Sequence, residues 1–368
     1  MMRKTKIIHV NSEMSNETLV DRLTEAAQCL SNGGTVAFPT ETVYGLGANA
    51  LSDNAVNAIY EAKGRPSDNP LIVHIASMEM LSELVVEVRP YVEKLMAAFW
   101  PGPITFVMKK KAQIPLKVTG GLSTVGIRMP ANVIALELIR LSGKPIAAPS
   151  ANLSGKPSPT QAKTVIEDLE GRVDYIIAGD SAEVGLESTV LDVTGEAPII
   201  LRPGKVTCEM IKEVVGACSF DAAITKDKIE TDGVAKAPGM KYRHYAPNAP
   251  VQVYMGNPTE MVKCFFEAVI SCSQKGTEKV GILTFEEEAM VLERMIALEG
   301  ISSDNYYIIS AGSAKDLTAY AKILFESLRT FDAALCTYII ARGVEEVGLG
   351  EAIMNRLKKA AEGKVTRI

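Results

Sequence analysis

Four short segments of the chain carry side chains that could hold a large anion. They are Lys63–Pro66, Ser150–Asn152, Glu187–Thr189 and Arg202–Gly204. Each places small or cationic side chains close to glycine or proline, where backbone and side-chain donors can converge on an anion. Because the segments are far apart in sequence, only the tertiary structure can bring them together. This pattern predicts a preformed concave site rather than one local binding loop.

Each of these segments also has an ordinary structural interpretation. Gly64 could simply end a helix, with Lys63 and Arg65 favoured near its C-terminal dipole. Alternatively, lysine supplies a mobile point charge and arginine a planar fork, which together suit triphosphate and carboxylate groups. The segment Ser150–Asn152 could be only a turn, or its hydroxyl and amide donors could hold phosphate oxygens. For each segment taken alone, both interpretations remain open.

Three further features also have two interpretations. The run Pro39–Leu46 contains threonine hydroxyls, a carboxylate and a phenol, which could cap a helix or bind an amino acid. His74 lies in an apolar run and could be a core histidine or a ligand contact. Lys109–Lys111 could be a solvated surface or a nucleic-acid patch.

Several common catalytic patterns are missing from the sequence. There is no G-x-x-x-x-G-K-[ST] loop, no H-E-x-x-H and no G-x-S-x-G. Three histidines with incompatible spacing predict no protein metal site. The six cysteines include no C-x-x-C pair, so we expect free thiols in a reducing compartment.

Composition limits the class of protein. The 368 residues predict two or three domains, and 47% hydrophobic with 23% charged residues is ordinary for a globular protein. A formal charge of −5 argues against a generally basic nucleic-acid binder. We find neither a signal peptide nor a membrane span, and we expect a cytoplasmic protein with no membrane partner.

Short strands alternate with helical windows along the chain, which predicts an α/β fold. Helical spacing covers 53–63. The strands expected in the first part are 34–39, 71–75, 104–108, 125–128, 146–148, 175–177, 189–193 and 199–201. The strands expected in the second part are 251–255, 280–285, 306–310 and 334–340. Helices are expected near 261–271, 286–298, 314–329 and 351–361.

The order of these elements predicts two domains and a linker. Residues 1–215 form the first α/β domain, and the polar, poorly periodic stretch within 216–247 is the linker. Strand and helix alternate again over 248–368, which predicts a small parallel, Rossmann-like second domain. Because this domain has no G-x-G-x-x-G, we do not expect it to bind a dinucleotide.

Taken together, the motifs resemble the Sua5/YrdC/YwlC family of threonylcarbamoyl-AMP synthases in its two-domain Sua5 form. Each motif is weak alone, but their joint order is specific and covers nearly the entire chain. In the first domain the resemblance rests on residues 38–46, 63–66, 70–74, 100–103, 128–130, 149–155, 187–190 and 201–204. The runs 238–247 and 348–356 distinguish the Sua5 form from the shorter YrdC form.

The resemblance implies a fold and a reaction. The fold is a YrdC-like twisted, open sheet domain followed by a smaller Rossmann-like Sua5 domain. The reaction joins L-threonine, bicarbonate and ATP into threonylcarbamoyl-AMP and pyrophosphate. Partner proteins then transfer the threonylcarbamoyl group to adenosine 37 of tRNA, which makes the modified base t6A. Mg²⁺ is expected to arrive with ATP.

The resemblance also implies roles for individual residues. Lys63 and Arg65 would face the phosphates and the carbamate as catalytic residues. The nucleotide would be held by Arg65, Asn69, Thr124, Ser150, Asn152, Ser158 and Arg202, with Arg243, His244 or Tyr245 from the linker. Threonine would be surrounded by Thr42, His74, Arg128, the backbone of Ala148, and Ser188.

Besides a pure regulator built on the fold, which would not need so complete a site, two alternative functions follow from the same family of folds. The first is a module that binds tRNA or double-stranded RNA on a basic concave face, and its binding would weaken steeply with salt. The second is the carbamoyl-adenylate chemistry of hydrogenase maturation proteins. Those proteins carry an acylphosphatase segment and cysteine-rich fingers, which this sequence lacks.

Overall fold

The computed structural model describes residues 3–67, 69–225, 245–276 and 278–368. Its backbone contacts divide the chain into two compact units. The first comprises Met1–Ser154 and Ser158–Tyr242, and the second comprises Gly155–Pro157 and Arg243–Ile368. Since residues 226–244 are outside the described part, the predicted domain limits at 215 and 247 stay predictions.

The first unit is built on a large mixed sheet. Its strands are β1 (Lys6–His9), β2 (Val36–Phe38), β3 (Gly45–Asn49), β4 (Ile72–His74), β5 (Ile104–Lys109), β6 (Thr124–Arg128), β7 (Ile146–Ala147), β8 (Tyr175–Ala178), β9 (Thr189–Asp192), β10 (Ile199–Arg202) and β11 (Ser219–Phe220). Within the described residues these eleven strands follow the order β1-β8-β2-β3-β7-β4-β6-β5-β9-β10-β11.

The pairing of the central strands brings chain segments together that are distant in sequence. Strand β4 lies between β7, with which it is antiparallel, and β6, with which it is parallel. In the β4–β6 pair, His74 lies directly opposite Arg128. Because the two strands are parallel and each ends at one of these residues, both residues lie at the same edge of the sheet.

Helices cover both faces of the sheet. They are α1 (Asn16–Ser31), α2 (Asp53–Lys63), α3 (Met78–Leu84), α4 (Pro90–Phe99), α5 (Leu116–Thr119), α6 (Val133–Ser142), α7 (Ala162–Leu169), α8 (Cys208–Val215) and α9 (Ala222–Thr225). Side-chain caps fix where several of them start. The hydroxyl of Ser52 accepts a hydrogen bond from the amide of Ala55 at the start of α2, and the hydroxyl of Ser15 accepts one from the amide of Thr18 at the start of α1.

Side chains alternate between two hydrophobic cores along the strands. Val36 and Phe38 belong to the core formed with α1 and α6, whereas Ala37 between them belongs to the core formed with α2 and α4. Successive strand residues point to opposite faces, so one strand contributes to both layers. Strands buried on both faces read as continuous apolar runs, which is why they could be recognised from sequence.

The second unit is a parallel sheet with helices between its strands. The strands are β12 (Val251–Met255), β13 (Val280–Thr284), β14 (Tyr306–Ser310), β15 (Tyr338–Arg342) and β16 (Val365–Arg367), and the helices are α10 (Pro258–Lys275), α11 (Glu286–Leu298), α12 (Leu317–Ala333) and α13 (Leu349–Ala360). Among the described strands the order is β14-β13-β15-β12-β16, and every pair is parallel. The prediction of a Rossmann-like α/β domain is therefore confirmed.

One predicted strand begins in the wrong place. The sequence predicted a strand over 334–340, but α12 continues to Ala333 and β15 starts only at Tyr338. The helix also starts later than the predicted residue 314, because the side chain of Asp316 accepts a hydrogen bond from the amide of Thr318 and caps the helix there. After the helix, Leu335 has a left-handed backbone conformation, with a φ of 57°, and separates α12 from β15. The apolar residues within 334–340 contain no glycine or proline that would have predicted this turn.

A buried polar cluster lies at the carboxyl ends of strands in the second unit. The carboxylate of Glu288 accepts a hydrogen bond from Nε of Arg342, with 2.9 Å between Nε and Oε1. It also accepts one from the hydroxyl of Thr284. Tyr320 donates its hydroxyl to the carbonyl of Arg342 at 2.6 Å. These contacts satisfy one another, so the cluster holds the sheet to α11 and α12.

No helix of the described residues has the length and apolar character that crossing a membrane would require. The six cysteines all lie in the described part and are free thiols, as predicted.

Candidate functional site

Lys63 connects the end of α2 to the loop that follows β7. Its side chain is buried, with 2% of its surface exposed. The ammonium donates to the carbonyl of Ser150 at 2.5 Å, to the carbonyl of Asn152, and at 3.4 Å to the Asn152 side-chain oxygen. Burying an ammonium is costly unless acceptors replace water, and these oxygens do so. The cation therefore also shapes the 150–152 loop.

The 150–152 loop has further supports on both sides. The Ser150 hydroxyl donates to Oδ1 of Asn152 at 2.5 Å, and the amide of Ala151 donates to the carbonyl of Tyr44 at 2.8 Å. The amide of Leu153 donates to Asp168 of α7 at 3.2 Å. These bonds hold the polar tip of the loop in one conformation. Ala148, just before the loop, donates its amide to the carbonyl of Ile72.

Arg65 and Asn69 lie on the loop between α2 and β4. The guanidinium of Arg65 approaches the carbonyls of Asn69 and Pro70 at 3.5 and 3.4 Å. Asn69 is 1% exposed, and among the described residues its Oδ1 has no hydrogen-bond partner. A buried acceptor without a partner costs free energy, which a ligand donor would recover.

A small, mostly apolar cavity lies next to this loop. Pro70, Ile72, Val107, Thr124 and Val190 line it. Thr124 thus lies beside Pro70, although the two are distant in sequence.

Arg128 and Glu41 form a buried ion pair. Nη2 of Arg128 lies 2.7 Å from Oε1 of Glu41, and both side chains are less than one-tenth exposed. Nη1 of Arg128 donates to the Thr42 hydroxyl at 2.8 Å, and Nε donates to the carbonyl of Gly102 at 3.4 Å. A planar guanidinium held in this way is preorganised to receive a carboxylate.

His74 is held neutral beside this ion pair. Burial lowers the pKa of its imidazole to about 3, and the positive charge of Arg128 adds to the effect. The ring meets that of Phe38 edge to face, with centroids 6.3 Å apart. Within the described chain, Nδ1 has no hydrogen-bond partner of good geometry.

Ser188 and Arg202 form a second polar cluster near the ends of β9 and β10. Arg202 donates to the carbonyl of Ser188 at 3.1 and 3.0 Å and to its hydroxyl at 3.2 Å. Thr105 on β5 shares a hydrogen bond of 2.9 Å with the same hydroxyl. Gly204 is required here, because a Cβ would lie 2.4 Å from the amide nitrogen of Thr189.

Ser158 belongs to the same region through Glu187. Its hydroxyl donates to the Glu187 carboxylate at 2.6 Å, and both side chains are buried. Glu41 belongs to the run predicted to cap a helix or bind an amino acid, and Glu187 to a segment predicted to hold an anion, but neither is among the residues predicted to contact ATP or threonine. Their positions in the sequence could have indicated a role in the site, since each carboxylate directly precedes a residue expected to contact threonine.

The linker residues expected at the nucleotide are only partly described. Arg243 and His244 lie outside the described residues. The ring of Tyr245 is buried in the second unit, stacked on Phe325 with centroids 5.0 Å apart and with the Arg356 guanidinium 5.7 Å from its centroid. Nucleotide contact by any of the three stays a prediction.

Two family profiles match consecutive parts of the chain. The Sua5, YciO and YrdC profile, described as "Telomere recombination", matches residues 28–204. The profile described as "Threonylcarbamoyl-AMP synthase, C-terminal domain" matches residues 206–362. The chain belongs to the Sua5 family.

Sua5 proteins of known name and structure match over nearly the full length. The threonylcarbamoyl-AMP synthase of Bacillus subtilis is 45% identical over 368 residues, which is all of both chains. That of Pyrococcus abyssi is 46% identical over 93% of this chain and 95% of its own. The crystal structure of P. abyssi Sua5 with L-threonine has a TM-score of 0.88 at 44% identity, covering 99% of this chain and all of that one.

Proposed function

We infer that this chain is a threonylcarbamoyl-AMP synthase. It joins L-threonine, bicarbonate and ATP into threonylcarbamoyl-AMP, with pyrophosphate and water as the other products. The observation that carries this proposal is the buried set of Arg128, Thr42 and His74 in a chain similar over its full length to named synthases. The relative bound to L-threonine has the same fold.

Threonine is held at the carboxyl ends of β4 and β6. Arg128 receives the substrate carboxylate, and Thr42 keeps the guanidinium in place. Because His74 is neutral, its ring can hydrogen-bond to the substrate without repelling the charge of Arg128. Ser188 and the backbone of Ala148 complete the pocket.

ATP lies along the loops of α2, β7 and β10. Lys63, Arg65 and Arg202 supply positive charge, while Asn152 and the hydroxyls of Ser150 and Ser158 supply polar contacts. Asn69 and Thr124 lie toward the adenosine part of the nucleotide. Among the described residues the buried Oδ1 of Asn69 has no hydrogen-bond partner, so it can accept the amino group of adenine.

The chemistry needs positioning and positive charge more than a strong base. The amine of threonine is carboxylated, and a carbamate oxygen attacks the α-phosphorus of ATP while pyrophosphate leaves. Negative charge grows on the leaving group, and cations fixed in a buried site stabilise it without reorganisation. The reaction is therefore a nucleotidyl transfer.

Mg²⁺ accompanies ATP in this proposal. The described residues contain no group of three or more histidine, cysteine or acidic side chains that could hold a metal ion. Phosphate oxygens and water are its usual ligands in such sites, and the ion neutralises phosphate charge. We place the activity in the cytoplasm, where ATP is available, and expect separate transfer proteins to carry the threonylcarbamoyl group to tRNA.

The RNA-binding alternative is not favoured. A protein that holds RNA by its phosphates needs cations on an accessible face. Here Lys63, Arg128 and Arg202 are each no more than 5% exposed. Such residues suit a small ligand enclosed by the protein.

The proposal is tested by mass spectrometry of the purified protein with ATP, Mg²⁺, bicarbonate and L-threonine. We expect an adenylate of the mass of threonylcarbamoyl-AMP, with one pyrophosphate released per molecule. Omitting threonine or bicarbonate, or replacing threonine with L-serine, provides the controls. If the protein binds ATP but forms no such product, the proposed function is wrong.

A further inference from the structure

Glu41 has unused hydrogen-bonding capacity in the buried site. Only 6% of the residue is exposed, and its Oε1 lies 2.7 Å from Nη2 of Arg128. The angles of this contact do not make it a hydrogen bond. Among the described residues neither carboxylate oxygen has a hydrogen-bond partner. A buried carboxylate normally accepts several hydrogen bonds, so this one lacks donors.

Orienting Arg128 does not by itself explain this carboxylate. The guanidinium already donates to the Thr42 hydroxyl at 2.8 Å and to the carbonyl of Gly102 at 3.4 Å. A glutamate that served only to hold the guanidinium would be expected to accept two parallel N–H bonds, as bidentate pairs do. The observed contact supplies opposite charge but leaves the oxygens able to accept other donors.

We propose that Glu41 binds the α-ammonium group of the amino-acid substrate, next to the carboxylate site at Arg128. This inference rests on the proposed function and adds a recognition residue to it. An α-amino acid carries a cation and an anion on the same carbon. A carboxylate and a guanidinium held 2.7 Å apart present the complementary pair of charges.

His74 is the competing acceptor in the same region. Its Nδ1 also has no partner of good geometry within the described residues, but its imidazole is neutral. An ammonium bound to the Glu41 carboxylate gains the attraction between opposite charges, whereas a neutral imidazole offers it only a lone pair. The ammonium is therefore directed to Glu41, and His74 remains available to another polar group of the substrate.

The test compares two ligands that differ in the amino group. L-threonine carries it, whereas (R)-3-hydroxybutyrate keeps the carboxylate, the hydroxyl and the methyl group without it. Their dissociation constants are measured by calorimetry on the full chain, on Glu41→Gln and on Glu41→Asp. Glu13→Gln, a change at an exposed glutamate of the same unit, is the matched control. ATP affinity in each variant reports folding.

Glu41→Gln is expected to weaken L-threonine binding by about 10- to 100-fold, the scale of one lost charge-assisted hydrogen bond. The affinity for (R)-3-hydroxybutyrate should not fall, because Arg128 remains and loses a competing anion 2.7 Å away. Glu41→Asp keeps the charge and should lose less affinity for threonine. Glu13→Gln should match the wild type with both ligands.

Equal weakening of both ligands in Glu41→Gln would show that Glu41 only orients Arg128, and unchanged binding of both would place it outside the site. If Glu41→Gln fails to fold, Glu41→Asp decides, since an unchanged ratio of the two affinities overturns the proposal. A wild type that makes the adenylate without preferring threonine to the amine-free acid overturns the Glu41 assignment alone. A wild type that makes no adenylate overturns the proposed function.

Discussion

His74 should make the first unit less stable in mild acid. Its pKa is lowered from 6.5 to about 3, because the ring is buried and faces the charge of Arg128. Between these two values the unfolded chain binds a proton that the folded chain does not bind. The free energy of unfolding therefore rises with pH across this window, and the contribution of His74 is lost as pH falls below 6.5.

The size of the effect follows from the two pKa values. The full shift corresponds to about 5 kcal/mol, reached only near pH 3. Between pH 7 and pH 4.5 the linkage relation gives a loss of about 2.5 kcal/mol from this histidine alone. Since His74 is buried, with 4% of its surface exposed, solvent screening does not reduce this value much.

The assay uses urea unfolding at pH 7 and pH 4.5 for the wild type and His74→Asn, which cannot titrate in this range. Trp100 is the only tryptophan of the chain and lies in the first unit, where it packs on Phe106. Its fluorescence therefore reports the unit that contains His74. Other acidic groups titrate in both proteins, so their contributions cancel in the difference.

We expect the wild type to lose about 2.5 kcal/mol more than His74→Asn between the two pH values. A general loss of stability in the variant does not affect this comparison, because it is present at both pH values. If the two proteins lose the same free energy within about 0.5 kcal/mol, His74 is not held neutral by its surroundings and the reasoning fails.

Three further outcomes are expected. Lys63→Ala and Arg65→Ala should each lower turnover by about 10²–10³-fold, the scale of one preorganised charge contact, and near-normal turnover in both folded variants would contradict their catalytic role. Arg342→Met leaves the carboxylate of Glu288 buried without its cation, so it should destabilise the second unit by about 3–5 kcal/mol, measured by amide hydrogen exchange in β13 and β15; unchanged exchange would show that the pair contributes little. Chelating Mg²⁺ with EDTA should abolish adenylate formation but leave the melting temperature of the ATP-free protein unchanged, because in the proposed function the ion enters with ATP; a lower melting temperature would indicate a structural metal.

Much of the secondary structure could be predicted because its signals are local. The helix over 53–63 and the strands over 251–255 and 306–310 have the predicted bounds. Apolar runs between glycine and proline identify buried strands, since burial requires a continuous hydrophobic surface. The late start of β15 was missed because a helix end and a left-handed residue at Leu335 interrupt an apolar run.

The sequence by itself indicated many of the elements, the residue types at their ends, and the family to which their order belongs, although β1, β3, β16, α1 and α6 were not among the predicted elements. The tertiary structure decided which of those ends meet. Strand order places His74 opposite Arg128. The folded chain also brings Arg128 to Glu41, and it brings Lys63 to the carbonyl of Asn152. Such contacts between distant segments depend on strand pairing and loop closure over the whole unit. Local residue patterns contain no information on either, because they report burial and conformation at one place in the chain.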